Sequence, residues 1–144
     1  MATESRLLFV DLQNDEDAMH IAVWAANGNF QGMQDIYIYR EQLNDWACEL
    51  TEFGKTPQDK AVFEYGSDDP NFYARLRLTA FIYESRGASA LEVLIDNHSE
   101  SPYQCRVEFC IFCAPTELNE LGAMILDWDT GKNLMMEWTV ENSV

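Results

Sequence analysis

The chain has 144 residues, 47% of them hydrophobic and 24% charged, a composition that excludes disordered, collagen-like and low-complexity classes. The length predicts a single domain over residues 1–144, large enough to fold without disulfides or a metal. A net charge of −16 disfavours nucleic acid and membrane surfaces as partners and favours basic proteins, although acidity also serves solubility alone.

Three strands are predicted first, over Arg6 to Gln13, Ala18 to Ala26 and Phe30 to Arg40. The turn residues Asn27-Gly28-Asn29 predict a tight hairpin between the second strand and the third. The period then changes to steps of three and four, which predicts an amphipathic helix from about Glu41 to Phe53. The apolar stripe of this helix must be buried against a sheet.

Four further strands are predicted over Lys60 to Tyr65, Phe72 to Tyr83, Ala88 to Asn97 and Tyr103 to Cys113. Strict alternation makes the second of these the clearest strand in the chain. A second helix follows Pro115, with Thr116 as its expected N-cap. Leu134 to Val140 is ambiguous, and we interpret it as a short terminal strand.

The predicted order of elements defines an α+β fold, with a meandering, mostly antiparallel sheet of about seven strands and two helices packed on one face. We find no internal repeat. Trp46 and Trp128 are core residues by their helical period, whereas Trp24 and Trp138 fit either the core or an interface. The residues expected in the core are Leu43, Trp46, Leu50, Leu76, Leu78, Ile82, Val93, Phe109, Leu121 and Ile125.

The face of the sheet opposite the helices is the expected interaction surface. Strand alternation places on it five residues, which are Arg75, Arg77, Phe81, Tyr83 and Phe112. A contiguous group of exposed aromatic residues marks an interaction site, and Arg and Tyr are enriched at interfaces. We expect this face to be locally basic and to contact a protein partner or a second copy of the chain.

No catalytic, cofactor or metal site is predicted. Cys110 and Cys113 have C-x-x-C spacing, but in a strand their side chains point to opposite faces, and no further ligand pair completes a zinc site. The acidic stretches at residues 14–17 and 67–69 are typical of solvated turns. His20 and His98 have no Ser, Cys or Asp at a spacing that suggests a triad. No nucleotide-binding fingerprint occurs.

The chain has no apolar stretch of the ~18 residues that span a bilayer, and its first residues do not form a signal peptide. We therefore expect a cytoplasmic protein. In that compartment its four cysteines are thiols rather than disulfides.

Several hydrophobic positions carry a resemblance to a known group of proteins. They are Ile36-Tyr37-Ile38-Tyr39 running into Leu43, Trp46 and Leu50, the turn and strand from Gly28 to Gly32, and the late helix through Leu118 and Leu121. In these positions, over about two-thirds of its length, the chain resembles small acidic bacterial α+β proteins. Some of them are immunity proteins of polymorphic toxin systems, of the cell-wall-associated-protein type.

The resemblance implies a non-enzymatic binding protein that occludes a basic toxin domain, and it carries no catalytic residues. The alternative is an orphan domain that forms a homodimer or binds a small ligand on its open sheet face. An enzyme is the least supported class.

Overall fold

The computed structural model describes residues 3–15 and 17–142, and these form eight strands and two helices. The strands are β1 (Thr3–Asp15), β2 (Ala18–Ala26), β3 (Gln31–Tyr39), β4 (Lys60–Tyr65), β5 (Arg75–Ile82), β6 (Ser89–Asp96), β7 (Arg106–Cys113) and β8 (Met135–Asn142). Helix α1 (Arg40–Thr51) lies between β3 and β4, and helix α2 (Pro115–Asp127) lies between β7 and β8. No helix in these ranges is long and apolar enough to cross a membrane.

The strands form two four-stranded sheets, in the orders β3-β2-β1-β8 and β4-β5-β6-β7, and every neighbouring pair is antiparallel. The predicted α+β class is confirmed, and the ambiguous terminal segment is a strand. The strands divide between two sheets because each helix carries the chain away from the sheet it has just left. Strand β4 therefore pairs with β5, and β8 returns to pair with β1.

The fold contains an internal structural repeat, so the prediction of no internal repeat is wrong. The order β-β-β-α-β occurs twice, and each half gives its last strand to the sheet of the other half. The buried helix positions correspond at an offset of 75 residues. These positions are Leu43, Trp46, Ala47 and Leu50 in α1, and Leu118, Leu121, Gly122 and Ile125 in α2.

One hydrophobic core joins the inner faces of both sheets to the two helices. All the residues predicted for this core are buried except Ile82, which is partly buried because it stands at the last paired position of β5. Trp138 is also buried. The core thus takes one face of each sheet, and we call the opposite faces the first outer face (β3-β2-β1-β8) and the second outer face (β4-β5-β6-β7).

At the N-terminus of each helix, the side chain of the third helical residue accepts a hydrogen bond from the backbone N–H of the N-cap residue. Gln42 accepts a hydrogen bond from the backbone N–H of Tyr39 at 2.8 Å, and Glu117 accepts one from Ala114 at 2.9 Å. The N-cap of α2 is therefore Ala114, followed by Pro115, and the prediction of Thr116 is wrong. Proline fits there because the first helical turn needs no donor from it.

Candidate binding surfaces

The structure places all five predicted interface residues on the second outer face. Tyr83 and Phe112 are 46% and 57% exposed, and their rings meet edge to face at 5.8 Å. The ring centroid of Phe81 lies 6.4 Å from that of Tyr83, and Phe81 is partly buried. The three rings thus form a contiguous aromatic cluster at one end of this face, of the kind that marks interaction sites.

The other end of the second outer face is a network of ion pairs. Arg77 lies 2.8 Å from Glu92 and 3.9 Å from Glu108. The remaining pairs are Arg75 with Glu64 and Asp68, and Arg106 with Asp68 and Asp96. The expectation of a locally basic patch is therefore wrong, because carboxylates on neighbouring strands neutralise each arginine.

The first outer face carries a second apolar surface, which the sequence analysis missed. Strand register aligns Leu8 with Trp24 and Met33 in one row, and places Val10 beside Met135 in the next. Trp24 is 46% exposed, Met33 43% and Met135 57%. Beside this row lies a depression of 590 Å³ whose walls include Leu8, Trp24 and Phe30. No described element covers these side chains.

Strand β2 lacks the alternation of apolar and polar residues that would predict one solvent-exposed face. Ile21 to Ala26 is a continuous apolar run, a pattern typical of a strand buried on both sides. In the structure Val23 is buried in the core while its neighbour Trp24 is exposed. Trp24, which the sequence allowed in either the core or an interface, therefore lies outside the core.

The first outer face is also acidic. Strand register places one arginine, Arg6, on this face, and His20 lies beside Asp35. The carboxylates on this face are Glu4, Asp15, Asp35, Glu137 and Glu141. Arg6 lies 3.3 Å from Glu4 and 3.6 Å from Glu137. Asp15 and Glu141 have no ion-pair partner among the residues that the structure describes. A surplus of negative charge therefore surrounds the apolar rows.

A polar and aromatic cluster lies at the edge of this face. His20 Nε2 lies 2.7 Å from Asp35 Oδ2, and the Tyr73 hydroxyl donates to both Asp35 carboxylate oxygens at 2.9 Å. The Tyr37 ring stacks on His20 with centroids 4.1 Å apart and meets Tyr73 edge to face at 5.5 Å. Tyr73 comes from the loop between β4 and β5, so the cluster ties that loop to edge strand β3.

Hydrogen bonding sets the ionisation of this cluster. Partial burial acts to raise the pKa of Asp35, but hydrogen bonds from His20 and Tyr73 outweigh it and hold the pKa below its ordinary value. The hydrogen bond to Asp35 raises the pKa of Tyr73 to about 12. Tyr73 is therefore a hydrogen-bond donor at neutral pH and not a base.

The pair of His20 and Asp35 was not foreseen, because the two residues are 15 positions apart in sequence and meet as diagonal neighbours across β2 and β3. Such a pair can orient a general base, but no Ser, Cys or Thr side chain in the described ranges hydrogen-bonds to His20. His20 instead fixes the ring of Tyr37.

The four cysteines are free thiols; Cys48 and Cys105 are exposed and Cys110 and Cys113 are partly buried, so the expectation of core cysteines is wrong, and only Cys113 packs against the core. Burial raises the pKa of Cys113 to about 12 and, together with Glu92 and Glu108, raises the pKa of Cys110. Their register partners are Ser89 and Glu92, which lie on opposite faces of β6. Within residues 3–15 and 17–142 no group of His, Cys, Asp and Glu side chains has the geometry of a metal site.

Comparisons of the chain with protein families, with curated proteins and with solved structures find no match. The resemblance to immunity proteins therefore stays a prediction.

Proposed function

We propose that this protein is a cytoplasmic, non-enzymatic binding protein that holds a basic protein partner on its first outer face. An immunity protein that occludes a basic toxin domain is the particular case that the sequence resemblance favours. The observation that carries the proposal is the exposed apolar rows around Trp24 and Met33 within an acidic surround.

The apolar rows supply the affinity in this proposal. Trp and Tyr dominate the energetics of protein interfaces because their large rings exclude water at small conformational cost. Trp24 stands on β2, which is paired on both sides, and Tyr37 stands on edge strand β3, which is paired with β2 and tied to the β4–β5 loop through the side chains of Asp35 and Tyr73. A partner thus meets a preformed surface, which keeps the entropy cost of binding low.

The charges supply the choice of partner. The carboxylates of the first outer face exceed its cations, and the whole chain has a net charge of −16. A basic protein is attracted over about a Debye length, which raises its association rate, whereas an acidic one is repelled. The second outer face is less selective, because each of its three arginines pairs with carboxylates there and the remaining surplus of negative charge is smaller.

The experiment is affinity capture from the native cell, comparing the wild type with a variant that combines Trp24→Ser and Met33→Ser. We expect the wild type to retain a protein of basic isoelectric point and the variant to bind the purified partner about 30-fold more weakly, the effect of one hot-spot residue. Tyr103→Ser is the matched control, since Tyr103 is exposed in the loop between β6 and β7.

Retention of only acidic proteins, or equal affinity of the wild type and the double variant, would contradict the proposal. A high-salt wash gives a further check, because an electrostatically selected partner dissociates faster as ionic strength rises.

A second candidate function is homodimer formation through the aromatic cluster of Phe81, Tyr83 and Phe112. The cluster is contiguous and exposed, and it lies on the face predicted for an interface. Tyr83→Ser with Phe112→Ser tests it by sedimentation equilibrium. Arg77 is left in place, because its removal would leave Glu92 and Glu108 unpaired.

A further inference from the structure

We infer that a cavity at the edge of the first outer face seats one lysine or arginine side chain of the partner. We call it the tyrosine pocket, and its walls include Gln13, Asp15, Ala18, His20, Tyr37 and Tyr39. The inference rests on the proposed function and names the chemical group that the surface recognises.

The size of the tyrosine pocket suits one side chain. Its volume is 290 Å³, at the lower limit of about 300–1,000 Å³ for pockets that hold a drug-sized ligand. It opens beside Asp15, where a second depression continues past Asp17 and Ala18. An extended chain lying across the first outer face can thus place a single long side chain in the pocket.

The charge of the pocket selects a cation. Asp15 and Asp17 are exposed and form no ion pair with any described residue. Arg40, whose backbone N–H donates to the carbonyl of Asp17, turns its side chain elsewhere: its guanidinium donates to the carbonyl oxygen of Ile125 at 2.6 Å and lies 5.5 Å from the ring centroid of Trp128. The protein therefore leaves these carboxylates for a cation from outside.

The two tyrosine rings complete the recognition. Tyr37 and Tyr39 are 54% and 63% exposed, and they stand two positions apart on the same face of β3. An ammonium or guanidinium group over the face of such a ring is attracted by its quadrupole. A phosphate or carboxylate ligand would find no cation here except His20, which Asp35 already pairs.

The pocket is held rigidly before anything binds. Tyr37 is oriented by stacking on His20 and by its edge-to-face contact with Tyr73. The backbone N–H of Arg40 donates to the carbonyl of Asp17 at 2.8 Å, which fixes the end of the β1–β2 hairpin against the start of α1. A preformed pocket loses little conformational freedom when it is filled.

The duplicated fold supplies an internal comparison. Strand register pairs His20 with Tyr37 in the first half and Ala90 with Phe112 in the second. Ala114 occupies the N-cap position of α2 that Tyr39 occupies in α1. The second half folds without the imidazole and without the second ring, so neither is required by the architecture.

The test uses short Gly-Ser peptides with one central residue, which is lysine, arginine, norleucine or glutamate. We expect the lysine and arginine peptides to shift the backbone amide NMR signals of Asp15, Ala18, Tyr37 and Tyr39, and the other two peptides to leave them unchanged. Equal shifts with norleucine, or shifts confined to other surfaces, overturn the inference.

The variants are Tyr39→Ala, which copies the second half, and Asp15→Asn. Each should raise the Kd of the lysine peptide about fivefold, which corresponds to about 1 kcal/mol. The matched controls, Tyr103→Ala and Glu100→Gln, change an exposed ring and an exposed carboxylate outside the pocket and should leave the Kd unchanged. Unchanged affinity in both pocket variants overturns the inference.

Failure of the inference is separable from failure of the proposed function. A purified basic partner that binds the wild type and the Tyr39→Ala, Asp15→Asn double variant equally supports the proposed function and overturns the pocket. Binding of the lysine peptide in the pocket with no basic protein retained from the cell supports the pocket and overturns the proposed function.

Discussion

Substituting alanine for Gly122 tests how closely the two helices approach. Gly122 faces α1, and a Cβ atom there would lie 2.6 Å from the carbonyl oxygen of Ala47 and 2.9 Å from Leu50 Cβ. Neither neighbour is the free end of a flexible side chain. The helices must therefore move apart, which also lengthens the hydrogen bond of 2.8 Å from the Asn119 amide to the Leu50 carbonyl.

Two opposing effects determine the magnitude. Alanine favours an isolated helix over glycine by about 1 kcal/mol. Overpacking a filled interface costs about 1–3 kcal/mol, and weakening the buried Asn119 hydrogen bond adds about 0.5–1.5 kcal/mol. We expect the Gly122→Ala variant to lose about 0.5–3.5 kcal/mol of unfolding free energy, with a Tm lower by roughly 2–14 °C.

The assay is urea unfolding followed by tryptophan fluorescence, with thermal unfolding as a second measurement. Ala123→Gly is the matched control, because Ala123 is the exposed neighbour and loses only the helix preference of about 1 kcal/mol. If Gly122→Ala raises the stability by about the amount that Ala123→Gly lowers it, the helices are not in tight contact and the reasoning is refuted.

Three further predictions concern the core and the His20 cluster. Leu76→Ala should lower the unfolding free energy by about 2–5 kcal/mol, because Leu76 is fully buried; a loss below 1 kcal/mol in urea unfolding would contradict this. Asp35→Asn should destabilise the protein at neutral pH. Because the pKa of Asp35 is lowered in the fold, this difference should shrink as the pH falls below about 4, and a difference that grows in acid would show the opposite linkage. Tyr73 should ionise with a pKa of about 12 in an absorbance titration, and Tyr73→Phe should remove the ionisation step near that pH. The stabilising effect of its hydroxyl is present below about pH 10 and is lost as the pH rises through about 12.

The elements whose apolar residues repeat at a regular strand or helix spacing could be predicted from the sequence. Strand β4 lies at the predicted residues, and α1 differs from its prediction by one or two residues at each end. The parity of β5 placed Leu76 and Leu78 in the core and Arg77 on the opposite face, as the structure has them. Local alternation is enough for this because side chains in a strand point alternately to its two faces.

Pairing between distant strands could not be predicted in the same way. Alternation says which side of a strand is buried but not which strand lies beside it, and so the division into two sheets was not foreseen. The contact of Asp35 with Tyr73 depends on that division, since it joins β3 of one sheet to the loop between β4 and β5 of the other. The first outer face was not predicted because β2 is apolar on both of its faces from Ile21 to Ala26.

Because β4 and β8 are exchanged between the two halves, neither half can complete its own sheet. A cut in the loop over residues 66–74 gives two fragments, and each carries the strand that completes the other's sheet. Each fragment alone would present unpaired strand edges, which promote aggregation, whereas mixing the two should reconstitute the whole. Two identical halves could associate in the same way as a swapped homodimer. When the two halves are joined in one chain, their sequences no longer have to be the same. One half therefore carries Tyr39 at the N-cap position where the other carries Ala114.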